Sequence, residues 1–140
     1  FDSGKQLYRQ MIKNNLPVSL VPHTPYTVSS HLFEKILTHA RENKTIYSLH
    51  VQESEEENKL YKHKKGEIFN FFSQMEKDYS NLPHGQTSLV AILKNLPNKQ
   101  PILLVHNIYT TPDDIKNAEA HNDGCYWVMC PKSNLYILTI

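Results

Sequence analysis

The sequence predicts an α/β fold built of parallel βα units, and three observations carry that expectation. Short β-prone runs alternate along the chain with segments of helical periodicity. Pro101–Val105 is a near-continuous apolar run, the pattern of a strand buried on both faces of a parallel sheet. No internal repeat, low-complexity stretch or Gly/Ser linker divides the 140 residues, so we expect one domain or part of one.

The elements follow in order. Gln6–Asn15 places Leu7, Met11 and Ile12 at helical spacing. Pro17–Pro22 reads as a short strand that runs out at His23-Thr-Pro-Tyr26. Ser29 can cap a second helix, in which Leu32, Phe33, Ile36 and Leu37 recur at i, i+3 and i+4. Thr45–Val51 is the second strand. Ser54-Glu-Glu-Glu57 has the spacing of a capping box, with acids in the first turn, Lys62, Lys64 and Lys65 in the last, and Gly66 as the stop. Ile68–Met75 and Ser88–Leu93 predict two further helices around the turn-rich Asn81-Leu-Pro-His-Gly85. Leu60, Phe69, Phe71, Phe72 and Met75 are expected in the core rather than in a lid. Pro101–Val105 is the third strand, ending at His106. Thr111-Pro-Asp-Asp114 opens a helix with Thr as cap and Pro at the first helical position. Tyr126–Cys130 is the fourth strand, ending at Pro131.

Composition narrows the class without naming a function. The chain is 39% hydrophobic and 21% charged, ordinary globular values. Fifteen basic against fourteen acidic residues leave a net charge of +1. That argues against a nucleic-acid partner or a polybasic membrane contact. No apolar run approaches the roughly 20 residues of a membrane helix. Cys125 and Cys130, read as members of one strand, point to opposite faces, which disfavours a disulfide and makes a reducing cytoplasm the expected compartment. The chain opens at Phe1 inside a helical segment and stops at Ile140 inside an apolar run, so we expect a fragment of something larger.

Three of the four expected strands end in a histidine: His23, His50 and His106. In parallel α/β folds the carboxyl ends of the strands open onto one face, where sites are built. A histidine there can bind a metal or move a proton. For one such residue the plainer account is a hydrogen-bonded packing role; three at the same topological position weaken it. The other histidines (His31, His39, His63, His84 and His121) fall on helices or loops and read as surface. In His50-Val-Gln-Glu53 the histidine sits near a strand end and the carboxylate at the turn into a helix, so both can face one mouth. That pairing suits a metal ligand beside a proton-transferring acid. A surface acid at a helix N-terminus would have the same spacing.

His23-Thr-Pro-Tyr-Thr-Val-Ser29, His50-Val-Gln-Glu53, Val105-His106 and Cys130-Pro-Lys-Ser-Asn134 resemble, in order, four landmarks of the amidohydrolase superfamily, in particular its chlorohydrolase and nucleoside or guanine deaminase branch. The resemblance covers nearly the whole chain. It implies that the parallel βα units form part of a TIM (β/α)8 barrel holding one divalent metal, zinc or else iron, that activates water. It implies His50 as the metal ligand from the fifth barrel strand and Glu53 as the proton shuttle to a ring nitrogen and the departing amine. His106 would orient the water or hold the tetrahedral oxygen, and His23 would bind substrate. Cys130–Asn134 would mark the end of strand seven, as a matter of shape more than chemistry. Relatives often carry a second histidine where this chain has Tyr109, so the resemblance leaves the role of that position open.

The family's His-x-His from the first strand and its aspartate from the eighth have no counterpart in these residues, so residues 1–140 are expected to form a partial hydrolase barrel domain, inactive alone. Leu138–Ile140 is expected to begin the eighth strand. The implied function is hydrolytic deamination of a ring or nucleoside amine on a small-molecule substrate. Open strand edges suggest a homo-oligomer. The competing class is a non-catalytic flavodoxin-like module binding a small ligand at its strand ends; four glycines, none clustered after a strand, disfavour it.

Overall fold

The computed structural model describes residues 1–75 and 82–138. Helices α1 (Asp2–Lys13) and α2 (Ser30–Asn43) precede strand β1 (Tyr47–Val51). Helices α3 (Glu55–His63), α4 (Glu67–Gln74) and α5 (Ser88–Leu93) lead to β2 (Ile102–His106), and α6 (Pro112–His121), β3 (Cys125–Val128) and α7 (Pro131–Leu138) complete the chain. The strands form one parallel sheet in the order β1-β2-β3. Consecutive parallel strands need crossovers, and the helices supply them.

The register pairs Tyr47 with Ile102 and Ile102 with Cys125, and two residues on, Leu49 with Leu104 and Leu104 with Trp127. Laterally paired residues share a face, so these side chains lie together under the helices. Tyr47, Leu49, Val51, Ile102 and Leu104 are buried there against Phe33, Ile36 and Leu37 of α2, Leu60 and Tyr61 of α3, and Leu89 and Ile92 of α5. The alternate positions Ser48, His50, Leu103 and Tyr126 lie on the opposite face, where the first three are half-buried and Tyr126 is exposed. Pro101–Val105 is thus apolar toward both faces, as expected, with Ile102 and Leu104 buried on one, and Val105 buried and Leu103 half-buried on the other.

Sequence-coded caps hold the helix starts. Ser29 Oγ accepts from Leu32 N, Ser54 Oγ from Glu57 N, and Thr87 Oγ1 from Val90 N. At α6, Thr111 and Asp114 form a reciprocal capping box with Pro112 at the first position.

Several expectations are corrected. Pro17–Pro22 is not a strand; its two prolines remove amide donors from any ladder. One bond remains, from His50 N to the carbonyl of His23 at 2.9 Å, so His23 ends an extended segment beside β1. The described residues therefore hold three strands, where four were expected. β3 starts one residue early and stops at Val128, leaving Cys130 outside it, so the opposite-face argument about the cysteines fails. Both are nonetheless free thiols. Leu135–Leu138 is helical rather than strand-like, and Thr139-Ile140 lies outside the described residues, as does Asn81 of the expected turn. Helix α3 ends at Lys64 in a left-handed cap. Gly66 instead opens α4 with φ 98°, where a Cβ would run into the Glu56 carboxylate. Leu60 and Phe72 are buried, whereas Phe71 and Met75 are exposed.

His39 is also buried, contrary to its surface reading. Its ring meets Tyr8 edge-on at 4.6 Å and Phe1 at 6.4 Å, packing α1 onto α2. Burial lowers its pKa, the Lys5 charge adds to that, and Glu42 opposes it. A folded-state pKa below the unfolded value of about 6.5 means the stabilisation is present above that pH and lost as pH falls. Thermal melts stepped from about pH 7.5 to about pH 5 should show an acid loss that His39→Gln reduces; an unchanged slope in the variant would assign the acid sensitivity elsewhere. In the core, Leu104→Ala should cost about 2–5 kcal/mol in urea unfolding.

Candidate active site

β1, β2 and the extended segment ending at His23 converge at their carboxyl ends. Three imidazoles meet there: the His23 and His50 ring centroids lie 4.8 Å apart, and those of His50 and His106 4.9 Å apart. Glu53, at the turn into α3, places Oε1 3.2 Å from His106 Nε2. All four residues singled out in the sequence are therefore brought to one mouth.

Backbone geometry makes that convergence possible. The register sets His50 beside Val105, and His106 beside Val51 of the core face. Regular alternation would aim His106 away from His50. Instead His106 has φ 79° and Asn107 φ 56°, so the chain turns left-handed at the strand end. Such a conformation in a histidine costs on the order of 1–3 kcal/mol. Asn107 holds the turn through Nδ2, which donates to Leu104 O at 2.6 Å and Val128 O at 3.3 Å.

Gln52 does the same at the end of β1, with φ 53° and a fully buried side chain. Its carbonyl accepts from Tyr109 N at 3.2 Å, and its side-chain oxygen accepts from Thr110 Oγ1. The loops carrying Glu53 and His106 are thereby tied together. Tyr109 takes part in this tie through its backbone.

Glu57 anchors the Glu53 turn from below. Its buried carboxylate accepts from Gln52 N at 2.9 Å and Glu53 N at 3.1 Å. Burial raises its pKa, against the pull of those bonds. The capping-box spacing was legible, yet Glu57 reaches past the cap residue to these two amides. On α6, burial disfavours ionised Asp114, but hydrogen bonds from Thr87 and Thr111 outweigh it and its pKa is lowered. Burial, then the charges of Glu57 and Glu53, raise the Tyr26 phenol.

Asn134 is the functional neighbour that residue-type reasoning undervalued. From the first turns of α7 its Oδ1 lies 3.0 Å from His106 Nδ1, and its Nδ2 donates to His106 O at 3.1 Å. Cys130–Asn134 was legible as a motif, but the amide's target was not. A separate cavity of about 430 Å³ is lined by Tyr26, Ser29, Phe33, Glu34, Tyr61 and Ile92 among others, and by none of the four clustered residues.

His50 fits a metal as a single donor. Its Nδ1 is buried with no hydrogen-bond partner, and burial first, then the charges of His23 and His106, lower its pKa and favour the neutral ring that metals require. No group of three or more His, Cys, Asp or Glu among the described residues is arranged to hold an ion. A complete coordination shell therefore needs donors beyond them.

Parallel βα units here bring three imidazoles and a carboxylate together at the strand ends of an α/β scaffold. The chain matches the amidohydrolase family over residues 4–139, and it belongs to that family. It is 23% identical over 136 residues to an adenosine deaminase of Helicobacter pylori, covering 96% of this chain and 32% of that protein. It is 27% identical over 143 residues to an aminodeoxyfutalosine deaminase of Deinococcus radiodurans, covering 93% and 32%. The crystal structure of Helicobacter pylori aminofutalosine deaminase superposes with a TM-score of 0.75 at 21% identity, over 96% of this chain and 35% of that one. Its complex with methylthio-coformycin gives 0.70 at 24% identity, over 83% and 28%. The chain thus spans about a third of the length of the relatives it matches. Family membership, rather than strand order, separates it from a flavodoxin-like module, because parallel strands in sequential order occur in both.

Glu57→Ala should leave the Gln52 and Glu53 amides without an acceptor and cost about 1–3 kcal/mol in urea unfolding. Glu57→Gln, which keeps one acceptor oxygen, should cost less. Equal losses would show that packing rather than the amide clamp is at stake.

Proposed function

We propose that the protein carrying this chain is a metal-dependent hydrolase that deaminates a ring or nucleoside amine with water. Residues 1–140 are read as a contiguous part of its barrel domain, with β1, β2 and β3 as strands five to seven of a TIM barrel and the segment ending at His23 in the place of the fourth. The observation that supports this most is the Glu53–His106 contact at 3.2 Å beside His50, whose buried Nδ1 has no partner, in a chain matching the family almost end to end. The deaminase names of the relatives support the reaction class.

In this reading water adds to the carbon bearing the amine, the C–N bond breaks, and ammonia leaves. A divalent metal, zinc or else iron, supplies water activation when bound. His50 is one of its ligands, the others lying beyond the described residues. Glu53 takes a proton and passes it to the ring nitrogen and the leaving amine. His106 orients the attacking oxygen, and His23, exposed at the rim, binds the substrate. The partner is a small molecule rather than nucleic acid or membrane. Among the described residues no helix is long and apolar enough to cross a membrane. A cytoplasmic location and a homo-oligomer belong to the same proposal.

Metal analysis of the full-length protein should find about one zinc or iron per chain, and ammonia release should follow addition of adenosine or aminodeoxyfutalosine. His50→Ala should lose metal. Glu53→Gln should keep it while turnover falls roughly 10²–10⁴-fold. Near-full activity in Glu53→Gln sinks the shuttle assignment, and a metal-free protein that stays inert with added zinc sinks the hydrolase.

A further inference from the structure

We infer that Asn134 is a positioning residue that fixes the tautomer of His106, so that Nε2, and not Nδ1, handles the proton shared with Glu53. The inference rests on the proposed role of that pair.

The hydrogen-bond directions leave one solution. A backbone carbonyl only accepts, so the group facing His106 O at 3.1 Å is the amide nitrogen of Asn134. The amide oxygen is then the atom facing His106 Nδ1 at 3.0 Å. An amide oxygen also only accepts, so Nδ1 carries hydrogen. A neutral imidazole has one N–H, which leaves a bare lone pair on Nε2. That lone pair faces Glu53 Oε1 at 3.2 Å, and two lone pairs cannot make a favourable contact. Nε2 is therefore the ring nitrogen through which a proton can pass to or from Glu53.

Two features of the fold favour this grip. The β2–β3 register ends at Val105 and Val128, so the His106 carbonyl has no ladder partner on that side and is available to Asn134. Asn134 is itself buried, and its backbone N–H donates to Cys130 O at 2.8 Å, which fixes its main chain in the first turn of α7. The strained backbone at His106 sets where the ring is; the Asn134 amide sets which way it is protonated. A residue serving only to dock α7 on the sheet would need one of these bonds, not both.

The test uses the full-length protein. Long-range ¹H–¹⁵N spectra of the histidine rings, with His106→Gln for assignment, should show Nδ1–H for His106 in the wild type. Asn134→Ala should yield mixed tautomers and a kcat lowered roughly 10–100-fold with KM little changed. Asn134→Asp keeps an acceptor for Nδ1–H but sets its second oxygen against the His106 carbonyl, so it should retain the tautomer while lowering stability. A wild-type His106 ring with no hydrogen on Nδ1 overturns the inference, and so does an Asn134→Ala protein with kcat within about twofold of wild type. If that variant fails to fold, the wild-type spectrum decides. Absent turnover in the wild type would instead refute the deaminase reading, while the tautomer, read without substrate, still decides the role of Asn134.

Discussion

The parallel register of β1 on β2 places His50 next to Val105 and Val51 next to His106, and the rest of the site depends on that offset. A one-residue slip would exchange the face packed under the helices for the open one. Tyr47, Leu49, Ile102 and Leu104 prevent it, because each is fully or almost fully removed from water in the observed register. Burial of these side chains is non-directional in itself, yet through the pleat it decides which imidazole faces the mouth. The left-handed turn at His106 then brings the second imidazole round to the first.

Hydrogen bonding converts this placement into fixed geometry. Each loop at the mouth is clamped by a carboxylate of the helix that follows it: Glu57 for Gln52 and Glu53, Asp114 for Thr111. Both acids act on backbone amides at a helix start, where negative charge is favoured. Gln52, Tyr109 and Thr110 bond the two loops to each other. Glu53 is thus held by its main chain on one side and meets His106 on the other. Displacing either clamp moves both halves of the pair.

Much of this was legible because it is written in local chemistry. Helical periodicity located α2, and Ser29 before it marked its start. The His50-Val-Gln-Glu53 spacing pointed to a strand end feeding a helix, and the structure places it there. Pro17–Pro22 was misread because β propensity says nothing about missing amide donors. His39 was misread because the helix it packs against, α1, buries no residue of its own, so its pattern gave no sign of a covering partner. The grip of Asn134 on His106 joins residues 28 apart in sequence, and no local spacing encodes such a contact. The same holds for Thr110 and Gln52, whose bond spans 58 positions.

The positive φ at His106 sets local backbone comfort against side-chain chemistry. Glycine occupies that region freely, so exchanging the histidine for it would relax the backbone while deleting the ring. Deleting the ring would also leave Asn134 Oδ1 buried without its partner, a cost of about 1–3 kcal/mol that offsets the strain relieved. Stability and chemistry thus both weigh on the imidazole at residue 106.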